Sequence, residues 1–216
     1  MACHYYLYQG VFRKMDLLHL FHAGGFMMYP LLLCSIIVVP IFIERFRFYH
    51  ANRSNIEKLT KEIPELLTAN DQEGLKAALK ADGGIPAGII LAGAEQLSSK
   101  ANQTAILEGA ASHAAGVLKS YLNYLDVIVT LSPLMGLLGT VIGMIGSFNV
   151  LSVEEGQPFA ITGGVAEALV CTASGLFVAI IALIAYTYLS QQVSNFVSQM
   201  EKLGSLYLAI VEADQK

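Results

Sequence analysis

Tryptophan is absent from this chain and charge is scarce, with 13 lysines and arginines and 17 aspartates and glutamates making up only 14% of 216 residues. That little charge, set against 55% hydrophobic residues and a mean hydropathy of +0.56, excludes an ordinary soluble domain and places the chain in a membrane. No strongly basic block accompanies the net charge of -4, so nucleic acid has nothing to attach to. Cysteine is too sparse for a disulfide framework. Cys34 and Cys171 fall in apolar runs and Cys3 at the N-terminal extreme, so three free thiols are expected. No small-residue cleavage pattern follows the first apolar run, which ends in IERFRF and is expected to remain as an anchor. Repeats of fixed period and low-complexity tracts are missing as well.

What is present is a series of uncharged runs with one soluble insertion. Residues 1–25 place Val11, Met15, Leu18 and Phe21/His22 at helical spacing, which predicts a short amphipathic helix at the membrane interface. His19 and His22 are three apart on it, yet no third ligand stands near, so they read as interfacial histidines and no metal site is expected. Residues 26–43, FMMYPLLLCSIIVVPIFI, form the first predicted span, near the lower limit of about 17 residues. Pro30 and Pro40 lie near its two ends, and Tyr29 and Tyr49 read as interface anchors. Residues 44–120 then turn soluble and hold nine of the chain's 13 basic residues, an excess that predicts a cytoplasmic helical region with the N-terminus outside. Helices are expected over Asn55–Thr68, Asp71–Leu79 and Asn102–Ser120, with a break at ADGGIP, 81–86. Ser112 beside His113 lacks an orienting acid or oxyanion motif, so it reads as surface.

The second predicted span covers 121–152. Its sequence LSPLMGLLGTVIGMIGSFNVL places Gly136, Thr140, Gly143 and Ser147 on one face, with Gly139 and Gly143 as a GxxxG pair. Small residues at this spacing let a neighbouring backbone approach closely, which is how helices associate where lipid offers no hydrophobic drive. A turn at 153–159 carries Glu154 and Glu155 and no basic residue, as a short external loop should. The third span is predicted over 160–190, with Gly164, Ala168, Thr172, Gly175, Ala179 and Ala182 as its small face. Glu167 is the only formal charge between Pro158 and Gln192, at the edge of that face. A lone carboxylate there costs about 2.5 kcal/mol or more on insertion scales, so it is expected to have a partner, a water-filled cavity or a task. Residues 191–216 are predicted to prolong the helix into the cytoplasm, since Gln191, Gln192, Ser194, Asn195, Ser198 and Gln199 suit water better than lipid; the tail from Glu201 reads as a final amphipathic turn or two. The fold class is therefore an all-α membrane protein with three transmembrane helices, the second and third extending into a cytoplasmic helical bundle.

The hairpin of GLLGTVIGMIGSF, 136–148, and GGVAEALVCTASGLFVAIIALIAY, 163–186, resembles the MotA/TolQ/ExbB proton channels, most closely the ExbB and TolQ branch. The resemblance implies a homopentamer in a bacterial inner membrane. Five copies would surround the single spans of two ExbD- or TolR-like partners, whose membrane aspartate carries the proton. It also implies that Thr140 and Thr172 line the pore near that aspartate, that Glu167 shapes the path from the external side, and that a TonB- or TolA-like periplasmic effector receives the work. Gly136, Gly139, Gly143, Gly164 and Gly175 are the expected packing residues. No cofactor and no enzymatic chemistry are expected. Two rivals remain: a MotA-like flagellar stator, which normally has four spans, and a non-conducting membrane scaffold in which Glu167 is only a satisfied interhelical group. An intramembrane enzyme lacks a nucleophile and base pair in the spans.

Overall fold

The computed structural model describes residues 21, 24–95, 100–153 and 158–214; the predicted N-terminal amphipathic helix, His19, His22, Cys3 and the turn acids Glu154 and Glu155 lie outside them. The described residues form helices and no strand: α1 Met28–Ala51, α2 Ile56–Thr68, α3 Gln72–Asp82, α4 Ile85–Glu95, α5 Lys100–Lys119, α6 Leu122–Val153 and α7 Pro158–Asp214. The short helices start and stop where their chemistry dictates. Asn55 and Asp71 cap α2 and α3, their side chains accepting from the Lys58 and Gly74 amides at 3.1 and 2.8 Å. Gly83 ends α3 in the left-handed region at φ 66, which accounts for the predicted break.

Among the described residues two helices are long and apolar enough to cross a bilayer, over Leu122–Phe148 in α6 and Gly163–Ala213 in α7; α1, which holds the predicted first span, is not one of them. Only 28% and 33% of their most apolar stretches is buried within the chain, unlike the core helix of a soluble protein. At 57 residues α7 is nearly three times the roughly 20 that a bilayer core requires. The tail from Glu201 is not a separate turn or two but a continuation of α7 to Asp214. In α1, Pro40 stands inside the helix rather than at its end, because the helix runs past the uncharged stretch to Ala51.

The chain divides into two compact units, one of Met1–Pro40 with Tyr124–Ala185 and the other of Ile41–Asn123 with Tyr186–Lys216. In the first, the start of α1 packs Met28 and Leu31 on Cys171 of α7, and Leu31, Cys34 and Val38 continue its buried stripe. Both Cys34 and Cys171 are free thiols, as expected.

In the second unit α2 packs on α3, α3 on α4 and α4 on α5, burying Leu59, Ile63, Leu75, Leu79, Ile90 and Leu107. The end of α7 buries Leu189, Val193, Phe196, Met200, Leu203 and Tyr207, alternating four and three residues apart. This is the apolar counterpart of the polar glutamine and serine face, and it holds the extension by ordinary hydrophobic packing. Most charges here are exposed, such as the Lys58–Glu62 and Lys80–Glu95 pairs at 3.6 and 3.3 Å. Arg45 departs from the expected solvated surface. It is only 5% exposed, pairs with Glu44 at 2.7 Å, donates to the Val117 carbonyl at 3.1 Å, and lies over the Phe48 and Tyr121 rings.

Tyr49 is likewise no interface anchor. It is buried, and its hydroxyl donates to the Leu118 carbonyl at 2.7 Å. Arg45 and Tyr49 together satisfy carbonyls left over at the end of α5, just before Tyr121 turns the chain at φ 66. Burial pushes the Tyr49 phenol up to about 12 from 10.0, with the Arg45 guanidinium pulling the other way. The folded chain therefore holds that proton more tightly than the unfolded chain, so Tyr49's contribution is complete below about pH 10 and declines as pH rises toward 12. Tyr49→Phe is expected to lose about 1–3 kcal/mol near neutral pH, because the Leu118 carbonyl is left buried and unpaired. The same variant should show a shallower loss of stability between pH 10 and 12 than the parent, measured by unfolding across that range.

Candidate functional site

The candidate site is the seam where α6 and α7 run antiparallel in the first unit. Gly136 lies against the backbone of Thr172, Gly139 against the Cys171 side chain, Gly143 against Gly164 and Ala168, and Gly164 against Ser147. Gly175 meets the Ser132 carbonyl and the Gly136 backbone. A side chain at any of these glycines would push against its opposite number, so the two backbones lie as close as their residue types allow. Three or four residues apart, Ala168, Cys171, Gly175, Ala179 and Ala182 form the buried stripe of α7. Buried residues along this helix are thus small in the first unit, where they meet helix backbones, and large from Leu189 onward in the second.

Thr172 sits in the middle of the seam, half-buried, and its hydroxyl donates to the Gly136 carbonyl at 3.0 Å. Thr140 is also half-buried, but its hydroxyl bonds within its own helix, to the Leu137 carbonyl at 2.6 Å. Gly139 therefore takes the place on the seam that the predicted face gave to Thr140, while Gly136, Gly143 and Ser147 stand on it as expected. Each threonine spends its one donor on a backbone carbonyl and keeps acceptor lone pairs.

Glu167, one turn before Cys171, is half-buried with its carboxylate against the α-carbon of Gly25. Gly25 has φ +68, a conformation that only glycine adopts without strain. Sequence reasoning placed no weight on it. The GG at 24–25 ahead of an apolar run was a visible sign of a turn, but nothing nearby in sequence points to a residue so far along the chain. Gly25→Ala is expected to cost about 1–2 kcal/mol from the left-handed backbone alone. It should also displace the Glu167 carboxylate. Thermal unfolding of Gly25→Ala with and without Glu167→Ala separates the two contributions.

No group of three or more potential metal-ligating side chains occurs among the described residues. Ser112 and His113 are exposed on α5. Facing outward from α6 and α7 are large apolar side chains, among them Leu134, Leu137, Ile145, Leu169, Phe177 and Ile184. Such surface requires lipid or other subunits to cover it.

A family model described as the MotA/TolQ/ExbB proton channel family matches residues 71–202, which include the whole seam. The chain is 32% identical over 192 residues to putative biopolymer transport protein ExbB-like 3 of Synechocystis sp., covering 86% of this chain and 91% of that one. It is 31% identical over 203 residues to ExbB-like 1 of the same organism, covering 88% and 79%. With the Tol-Pal system protein TolQ of Pseudomonas aeruginosa it shares 36% identity over 95 residues, covering 44% of this chain and 41% of that protein. From that match and these relatives, the chain belongs to the MotA/TolQ/ExbB proton channel family, as a member of the ExbB and TolQ kind.

Proposed function

We propose that this chain is the multi-pass subunit of a proton-driven motor in a bacterial inner membrane. Three spans, at 26–43, 121–152 and 160–190, carry it, with the N-terminus periplasmic and residues 44–120 and 191–216 cytoplasmic. Five copies surround two copies of an ExbD- or TolR-like partner with one span and one membrane aspartate. The assembly turns proton motive force into mechanical work on a TonB- or TolA-like periplasmic effector, and so energises outer-membrane transport or envelope maintenance.

The observation that carries this reading is Thr172. Its hydroxyl donor is held by the Gly136 carbonyl across a seam without a formal charge of its own, and its lone pairs remain able to accept. A protonated carboxyl on a partner helix would donate to such an oxygen. A deprotonated one would draw the hydroxyl away from Gly136. Thr172 thus has two hydrogen-bond states that follow the charge of a neighbouring acid, and Thr140 has the same chemistry through Leu137. Glu167, the only carboxylate of the third span, biases which charge state a neighbour takes. Each proton crossing 100 mV releases about 2.3 kcal/mol, enough to drive steps between packed helices.

A scaffold reading draws on the same bond, since a satisfied Thr172 hydroxyl also serves simple packing. Affinity purification of this chain from its native membrane tests the choice. The motor predicts a co-purified single-span protein with a membrane aspartate, at a mass that fits five copies to two. A homo-oligomer free of any such protein would overturn it.

A further inference from the structure

Beyond the proton path, the second unit carries an open groove whose chemistry the motor reading does not use. Phe42 and Phe46 of α1 and Tyr188 of α7 form an aromatic cluster with ring centroids 6.0, 6.1 and 6.2 Å apart. Phe46 and Tyr188 remain 45% and 42% exposed, so the cluster is an open surface and not a closed core. Beside it lies a cavity of about 210 Å³ lined by Phe46, Tyr49, His50, Arg53, Tyr188 and Gln192. A second cavity, of about 300 Å³, shares Arg53 and Gln192 with the first and adds Ser54, Asn195, Phe196 and Gln199.

No carboxylate lines either cavity. Arg53 donates to the Gln192 side-chain oxygen at 2.8 Å and has no ion-pair partner among the described residues, whereas Arg45 is paired with Glu44. A guanidinium has five N–H donors in a planar fork, so most of Arg53's capacity is unspent. The groove thus runs from aromatic surface on α1 to an uncompensated cation two residues past its end, starting one residue before the uncharged run ends at Ile43. A ligand that fits must be apolar at one end and anionic at the other, and it must lie where a membrane helix leaves hydrocarbon. Free phosphate satisfies only the cationic half. A second copy of this chain would have to bring a carboxylate to Arg53.

We propose that this groove holds one anionic phospholipid of the cytoplasmic leaflet, its phosphate on Arg53 and His50 and its glycerol and first acyl carbons on Phe46 and Tyr188. The site rests on the reading that α1 crosses the membrane with residues 44–120 on the cytoplasmic side. Bound there, the lipid neutralises Arg53 and covers the exposed aromatic surface of Phe46 and Tyr188, tying α1 to α7 at the membrane boundary.

Native mass spectrometry of the delipidated full-length complex tests this, with dioleoyl-phosphatidylglycerol, dioleoyl-phosphatidylcholine or inorganic phosphate as probes. The parent should bind phosphatidylglycerol in preference to phosphatidylcholine, up to one per chain. Arg53→Gln should bind it about fivefold more weakly, as expected for loss of one basic residue at a lipid surface. Lys58→Gln, which removes an exposed charge already paired with Glu62, should bind as the parent does. Unchanged binding by Arg53→Gln, or equal binding of the two lipids, overturns the proposal. So does displacement by inorganic phosphate, which marks a free-anion site, and so does protection of Arg53 from a guanidine-reactive reagent by a neighbouring copy without lipid. Trypsin added to intact spheroplasts reports separately on sidedness: cutting within 44–120 would refute the topology, while the detergent measurement still reads the groove.

Discussion

Gly175→Val is expected to stop the α6–α7 hairpin from closing. A β-carbon at Gly175 would stand 2.6 Å from the Ser132 carbonyl oxygen and 3.0 Å from the Gly136 α-carbon. Both are backbone atoms, so no change of side-chain rotamer relieves the clash; the helices themselves must separate. Separation takes Thr172 out of reach of the Gly136 carbonyl and opens the Gly139 and Gly143 contacts on the same seam. Overpacking a close-fitted site costs about 1–3 kcal/mol even when side chains can yield, and here they cannot. The expected result is a large drop in unfolding temperature and, on size exclusion, loss of the proposed oligomer, with Gly175→Ala intermediate. Gly146 supplies the control. It lies on α6 with nothing within 4 Å of an added β-carbon, so Gly146→Ala should leave the hairpin intact.

Thr172→Ala is expected to separate stability from function. The lost bond to Gly136 is worth about 0.6 kcal/mol by the average for interhelical hydrogen bonds in membranes, and the smaller side chain adds no clash. Assembly should therefore survive with a modest fall in unfolding temperature. Proton-motive-force-dependent function should be lost, because alanine neither donates to Gly136 nor accepts from a partner acid. Thr172→Ser keeps the hydroxyl and should keep function. Thr172→Val, nearly the same shape without the hydroxyl, should behave as alanine does. If serine fails and valine works, shape rather than hydrogen bonding is what the position requires.

Much of this architecture was legible because it rests on local chemistry. Asn55, Asp71 and Gly83 announce the ends of short helices through their own capping capacity, and Gly136, Gly139, Gly143, Gly164 and Gly175 announce a close approach by their spacing, whereas the open surroundings of Gly146 and Gly163 show that glycine alone does not. Other features depend on partners distant in sequence. Tyr49 looked like an interface anchor because it follows an apolar run, and only the fold brings the Leu118 carbonyl to its hydroxyl. Arg45 belonged to a run of basic residues that read as solvated, until Val117, Phe48 and Tyr121 enclosed it. The three-and-four alternation of Leu189, Val193, Phe196, Met200, Leu203 and Tyr207 was open to inspection, but it follows directly on a span in which most residues are apolar and periodicity carries little contrast. Thr140 and Gly139 are adjacent in sequence and point about 100° apart on a helix, so spacing alone did not decide which of them meets α7.

Protons are proposed to pass along the α6–α7 seam under the control of Thr172. The decisive measurement is proton flux into vesicles holding this chain with the proposed single-span partner, at an imposed potential and with a pH-sensitive dye inside. Flux is expected through the parent and through Thr172→Ser, and none above the lipid background through an equally assembled Thr172→Ala. Flux through Thr172→Ala at the parent's rate would contradict it.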